Sequence, residues 1–249
     1  MSVLLCLGAF VLLQNVMPGG SMQHGIIGGR VSDPGSHPYM VYIYNWKTNE
    51  RCDGFLVSKD YVITAAHCKT SVVVFLGIYS TEGLHITNST SVTAIPHPAY
   101  NNNTYENDIM LLKLCKPAPR NKRVKPVALP ASENEEFSTN CLVMGWGSQE
   151  HNKRNLSSVL KEVNVTISKT SACTTPDMIC SEGFKGPGKG DSGGPLICGN
   201  VAHGIVSSNF ILNKTFVSRY VRTAYHLSWI NSIIKKPPKD QRAQPRRFP

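Results

Sequence analysis

No stretch of this 249-residue chain reaches the ~18 consecutive apolar residues that a membrane-spanning helix needs; the longest such run, Val3 to Leu13, stands at its very start. A helical membrane span is therefore not expected. No two cysteines stand in C-x-x-C spacing, so the paired ligands of a structural zinc site are missing and no metal is expected. Acidic residues are scarce, 16 against 26 lysines and arginines, which leaves a net charge of +10. Charge as a whole is modest at 17%, hydrophobic content is 41% and mean hydropathy is −0.16, a composition that excludes a disordered chain. Internal repeats are absent, and helical periodicity is confined to one segment near the end.

The apolar run at the start, with no charged side chain before Arg30 and with Gly19, Gly20 and Ser21 following it, reads as a secretory signal over residues 1–20. Of the eight cysteines, Cys6 lies in that run, and seven remain for the secreted chain. Seven is odd, so at least one thiol is free or bridges to another chain. Five N-x-S/T sequons, at Asn88, Asn102, Asn155, Asn164 and Asn213, suit a secreted glycoprotein. Two segments carry the basic excess: Lys113 to Lys125 has six basic residues and no acid, and Lys235 to Pro249 has six against one. For a secreted chain the matching polyanion is a sulfated glycosaminoglycan or a cell surface rather than nucleic acid.

From residue 26 onward, short β-branched runs alternate with turn-forming clusters: Met40 to Tyr44, Tyr61 to Ala66, Val72 to Leu76, Ile109 to Leu114, Cys141 to Gly145, Val159 to Ile167, Pro195 to Cys198 and Val201 to Val206. Runs of this length and composition predict an all-β barrel or sandwich. One helix is predicted over Ala224 to Lys236, with Leu227, Ile230 and Ile234 on one face, Thr223 as cap, and Pro237-Pro238 as stop. The segment 236–249 has no apolar period and reads as a basic tail.

Four separated segments carry chemistry when taken together. Thr64-Ala65-Ala66-His67-Cys68 places a histidine at the end of an apolar strand; Asn107-Asp108-Ile109 places an acid at the entrance to another. Gly188-Lys189-Gly190-Asp191-Ser192-Gly193-Gly194-Pro195 surrounds a serine with glycines, which permit a backbone path whose amides point into one concavity. Gly25-Ile26-Ile27-Gly28-Gly29 follows the signal as a processing junction. In this order and spacing the segments resemble the chymotrypsin-like serine proteases over Ile26 to about Lys235. The wording of IIGG, HPYMVYI and NDIMLLKL is similar to the granzyme and mast-cell protease branch.

That resemblance implies two six-stranded antiparallel barrels with a C-terminal helix, joined near residues 116–130, and no cofactor. It implies a triad of His67, Asp108 and Ser192, in which neutral imidazole takes the serine proton and later protonates the leaving amine. The N–H groups of Gly190 and Ser192 would form the oxyanion hole, where a Cβ at Gly190 would crowd the concavity. Residues 21–25 would be a short propeptide, and cleavage after Gly25 would free the Ile26 ammonium to pair with Asp191. Family pairing would join Cys52 to Cys68, Cys141 to Cys198 and Cys173 to Cys180, leaving Cys115 odd. Partners would be protein or peptide substrates and protease inhibitors, and the location secreted or granule-stored.

For the specificity pocket, the resemblance assigns Gly186 to the floor, Ser207 to its side, and Asn209 and Ser218 to the walls. With no acid at the floor, cleavage after Lys or Arg is disfavoured, and side chains on the walls favour a small or medium aliphatic residue. A shift by one would bring in Arg219 instead and favour acidic residues; matching Tyr220 to the family's pocket-end tyrosine favours Ser218. A catalytically weak, glycosaminoglycan-binding homologue is the alternative of a different class.

Overall fold

The computed structural model describes residues 26–148, 155–169, 173, 175–212 and 214–235. The signal, the propeptide, the basic tail, Asn213 and Pro237-Pro238 lie outside them. The strands run in chain order as β1 (Arg30–Val31), β2 (Met40–Asn45), β3 (Glu50–Leu56), β4 (Tyr61–Thr64), β5 (Val72–Leu76), β6 (Thr90–Pro96) and β7 (Met110–Leu114). They continue as β8 (Asn140–Gly145), β9 (Lys161–Thr166), β10 (Met178–Glu182), β11 (Pro195–Cys198), β12 (Val201–Leu212) and β13 (Thr215–Arg222), followed by the helix α1 (Leu227–Ile234).

Strands β2 to β7 close into an antiparallel barrel in the order β2-β3-β4-β7-β6-β5. Its two faces bury Ile43, Val74 and Leu112 on one side and Phe55, Ile63 and Leu111 on the other, all of them fully, at about 1.5–3 kcal/mol for each large apolar side chain. The other strands form one sheet in the order β1-β9-β8-β11-β12-β13-β10, the six strands expected of the second barrel with one more added beside β9. The seventh member is the short β1, which pairs Arg30 with Glu162 because the chain after Ile26 lies along the edge of β9. Glu162 anchors it there: one carboxylate oxygen accepts from Arg30 Nη2 at 2.6 Å and the other lies 2.6 Å from His37 Nε2. An isolated bridge between Ile167, just after β9, and Ser181 of β10 draws those two strands together.

Among the strands that periodicity overlooked, β3, β6 and β10 carry polar residues that break the apolar signal. Strand β6 ends in Pro96 and alternates half-buried and exposed positions, and β3 opens on Glu50-Arg51 and includes Asp53. The helix is shorter than predicted. A 3-10 turn at Thr223–His226 precedes α1, and the Thr223 hydroxyl donates to the Ala202 carbonyl at 2.7 Å instead of capping. Burial of Thr223 and Ala224 against the sheet tightens this first turn, so regular helix begins at Leu227.

Candidate active site

The pairing of β4 with β7 puts Thr64 opposite Met110, so the residues just beyond those strand ends meet. His67 lies in the 3-10 turn after β4, and Asp108 stands just before β7. The Cys52–Cys68 disulfide ties that turn to β3. Asp108 is fully buried and its carboxylate has three donors. Oδ1 accepts the His67 backbone N–H at 2.9 Å, while Oδ2 accepts from His67 Nδ1 at 2.7 Å and from the Ser207 hydroxyl at 2.6 Å. With Nδ1 donating, neutral His67 keeps a free lone pair on Nε2. His67, Gly190 and Ser192 line one cleft of about 560 Å³.

The loop before β11 reaches this cleft from the seven-stranded sheet. Gly190 has φ +104° and Gly193 φ +83°, backbone conformations that favour glycine. A Cβ at Gly190 would stand 2.9 Å from Leu156 Cδ2 and 3.1 Å from Gly147 Cα. Glycine is thus favoured there by φ and by the approach of Gly147 and of Leu156, which lines the same cleft. At Gly193 a Cβ would collide with Thr64 Oγ1 and the Asp53 carbonyl. Among the described residues, neither the Gly190 nor the Ser192 N–H donates to a backbone acceptor, which leaves both for an incoming oxygen.

Asp191, fully buried beside the serine, accepts the N–H of Gly147 on Oδ1 and that of Gly188 on Oδ2, each at 2.7 Å. Ile26 is fully buried in the same apolar cluster as Val143, Leu196, Val206 and Tyr220. Ile27 exchanges two backbone hydrogen bonds with Gly186, at 2.9 and 3.1 Å, so the start of the described chain docks on the loop that carries Asp191. The remaining bridges, Cys141–Cys198 and Cys173–Cys180, lie in the second sheet and its loops, and Cys115 is a free, exposed thiol.

Residues 26–230 match the protein-family model described as Trypsin. The chain belongs to the trypsin family. It is 40% identical to cathepsin G of Homo sapiens over 90% of this chain and 93% of that one. It is 37% identical to granzyme E of Mus musculus over 90% and 97%, and 38% identical to granzyme B of Homo sapiens over 95% and 100%. The protease is a chymotrypsin-like serine endopeptidase of the granzyme branch, and its barrel and second sheet are those of that fold.

A second cavity of the protease, about 520 Å³, opens beside Ser192 and is lined by Lys189, Ser207, Asn209 and Phe216. Of the four residues expected in the specificity pocket, Ser207 and Asn209 are on its wall and Gly186 and Ser218 are not. Those two face each other next to Phe216: a Cβ at Gly186 would stand 3.0 Å from Ser218 Oγ and 3.5 Å from Phe216 Cε1. Asn209 Nδ2 donates to the Pro187 carbonyl at 2.7 Å and so spans the two walls. In register, Asn209 opposes Ser218, whereas Arg219 opposes Ser208 and Cys180 on the alternate face.

Three features escaped the sequence reading. Tyr105 packs at a tilt against His67, ring centroids 5.4 Å apart, and lines the cleft. Ser207, expected only as a pocket residue, donates to the Asp108 carboxylate. Asp53 is a fully buried acid in β3 whose carboxyl lies against that of Asp191; an acid between a half-cystine and the apolar end of the strand was its only signal. Cys52, His67 and Cys68 bring three potential metal-ligating atoms together, but the two sulfurs are bonded to each other and leave no thiolate.

Proposed function

We propose that the chain starting at Ile26 hydrolyses peptide bonds with Ser192 as nucleophile, His67 as general base and then acid, and Asp108 as the group that fixes the imidazole. The two-point hold of Asp108 on His67, through both the backbone N–H and Nδ1, carries this reading, because it directs a free Nε2 toward the cleft that Ser192 shares. Ser192 Oγ bonds to the carbonyl carbon while its proton passes to Nε2. The oxyanion meets the Gly190 and Ser192 N–H groups, each such donor being worth about 2.7–4 kcal/mol. The C–N bond breaks as His67 returns the proton to the amine, and water repeats the sequence on the acyl-enzyme.

The Ile26 ammonium released by cleavage after Gly25 pairs with Asp191 and orders both oxyanion donors. At the specificity pocket, the Asn209 bridge to Pro187 narrows the slot and Ser218 lies near Gly186, which supports small or medium aliphatic residues over rings. Among the described residues, no acid lines the cavity to meet a buried Lys or Arg charge. Asn88, Asn102, Asn155 and Asn164 are exposed, as glycan acceptors of a secreted or granule-stored protein must be. Lys113, Lys116, Arg120, Lys122, Arg123 and Lys125 are all exposed and suit a sulfated glycosaminoglycan. The deciding experiment labels processed protein with an active-site serine probe and then reads a peptide library varied at the cleaved residue. Labelling lost in Ser192→Ala and cleavage after Ala, Val, Leu or Met are expected. An unlabelled wild type would overturn the triad, and dominant cleavage after Asp or Glu would assign the pocket to Arg219.

A further inference from the structure

We propose that Asp53 is a positioning residue for the oxyanion loop: its carboxyl, buried against Asp191, shares one proton with it and so holds that carboxylate beneath the nucleophile. The inference rests on the proteolytic reading above and assigns to that site a residue from the opposite barrel. The Asp53 backbone meets the nucleophile's segment once and the strand that leads to His67 once. Its backbone N–H donates to the Ser192 carbonyl at 2.8 Å, and its own carbonyl accepts the Thr64 hydroxyl at 2.7 Å. Its side chain turns the other way, into the space that a Cβ on Gly145 would need: that atom would collide with both Asp191 Oδ1 and Asp53 Oδ2.

The two carboxyls approach each other over Gly145 with both residues fully buried, and two buried carboxyls this close favour one shared proton over two charges. The unequal donor sets decide which acid is ionised. Asp191 receives two short backbone N–H bonds, a setting that favours the carboxylate. Asp53 receives only the Trp146 N–H at 3.3 Å on Oδ2, and among the described residues its Oδ1 has no partner. Asp53 therefore holds the proton and donates to Asp191. Burial raises the pKa of both acids, more firmly for Asp53, which also faces the Asp191 charge.

The charged and titratable groups around the pair leave this assignment in place. From β2, Tyr42 opposes Asp53 in register, with its phenol pushed up to about 12 by burial. From β13, Tyr220 is raised further, and Arg51, next but one along β3, acts on Tyr42. The Ile26 ammonium of the processed chain can balance one buried carboxylate and not two. Once Asp53 ionises, repulsion between the carboxylates displaces Asp191, and the Gly190 and Ser192 donors lose their alignment.

The test compares processed wild type, Asp53→Asn and Asp53→Ala. Asparagine keeps an N–H donor toward Asp191 and cannot ionise, so the alkaline limb of kcat/KM should move upward by about one pH unit. Alanine should lower kcat about tenfold with KM changed less than about threefold, as expected for partial loss of an oxyanion donor. Coincident alkaline limbs for wild type and Asp53→Asn would overturn the proposal. A second readout needs no turnover: in processed Ser192→Ala, carboxyl 13C resonances should show one of the two acids still protonated at neutral pH. Titration of both within the ordinary carboxylate range would overturn it. A protonated pair in a wild type that no serine probe labels would support the pair and overturn the triad.

Discussion

Asp108 shows how much a single carboxylate can organise when it is fully buried. Its three donors come from His67 twice and Ser207 once, so its orientation is fixed from two different sheets. Replacing Asp108 with Asn would put an amide N–H where an acceptor is needed and select the wrong imidazole tautomer; kcat should fall about 10⁴-fold while the fold persists. Removing the Ser207 hydroxyl deletes one charge-assisted bond, worth about 1.5–3 kcal/mol. Steady-state kinetics of Ser207→Ala should therefore show kcat/KM lowered by about tenfold or somewhat more. An unchanged value would mean that the two His67 contacts suffice.

At the level of elements, β12 and β13 set the slot and the C-terminal helix sets a pH limit. Asn209 reaches from β12 to Pro187, and Asn209→Gly removes the bridge. Selectivity for Phe over Val at the cleaved residue, read as a ratio of kcat/KM, should rise at least about tenfold, the scale of one or two methylenes of pocket room. Beside the helix, burial and then the neighbouring His97 push the His226 pKa from 6.5 down to about 4. The folded state keeps this imidazole neutral where the unfolded chain protonates it, so stability is present above about pH 6.5 and declines toward pH 4. The loss reaches about 3 kcal/mol at 1.36 kcal/mol per unit. Urea unfolding at pH 7 and pH 5 should reveal the slope, and His226→Phe, which keeps the aromatic contacts to His97 and Tyr225, should flatten it.

In the proposed mechanism, activity of the whole molecule depends on where the chain starts. Ile26 lies at φ +42°, a left-handed conformation that a β-branched residue avoids at a cost of about 1–3 kcal/mol. Cleavage of the preceding peptide bond frees that torsion and at the same time creates the ammonium that Asp191 can accept. A chain extended before Ile26 should show kcat/KM at least about 100-fold below the chain that begins there, the scale of losing an oxyanion donor. Equal rates in the two forms would show that the Gly147 and Gly188 N–H bonds alone order Asp191.

The all-β class, the segments that meet at the cleft and the barrel strand at Val72–Leu76 were legible in the sequence, because β-branched runs and glycine-framed motifs act through local stereochemistry. Local stereochemistry also required glycine at residues 190 and 193. What the sequence could not give was the partner across space. That Ser207 serves Asp108, that Asn209 spans to Pro187, and that β1 makes the second sheet one of seven all follow from strand register between segments far apart in the chain. Asp53 is the clearest case. As a letter beside Cys52 it is one acid among 16; only the approach of the barrel to the loop before β11 encloses it with Asp191, excludes water, and makes a shared proton the cheaper arrangement for two buried carboxyls.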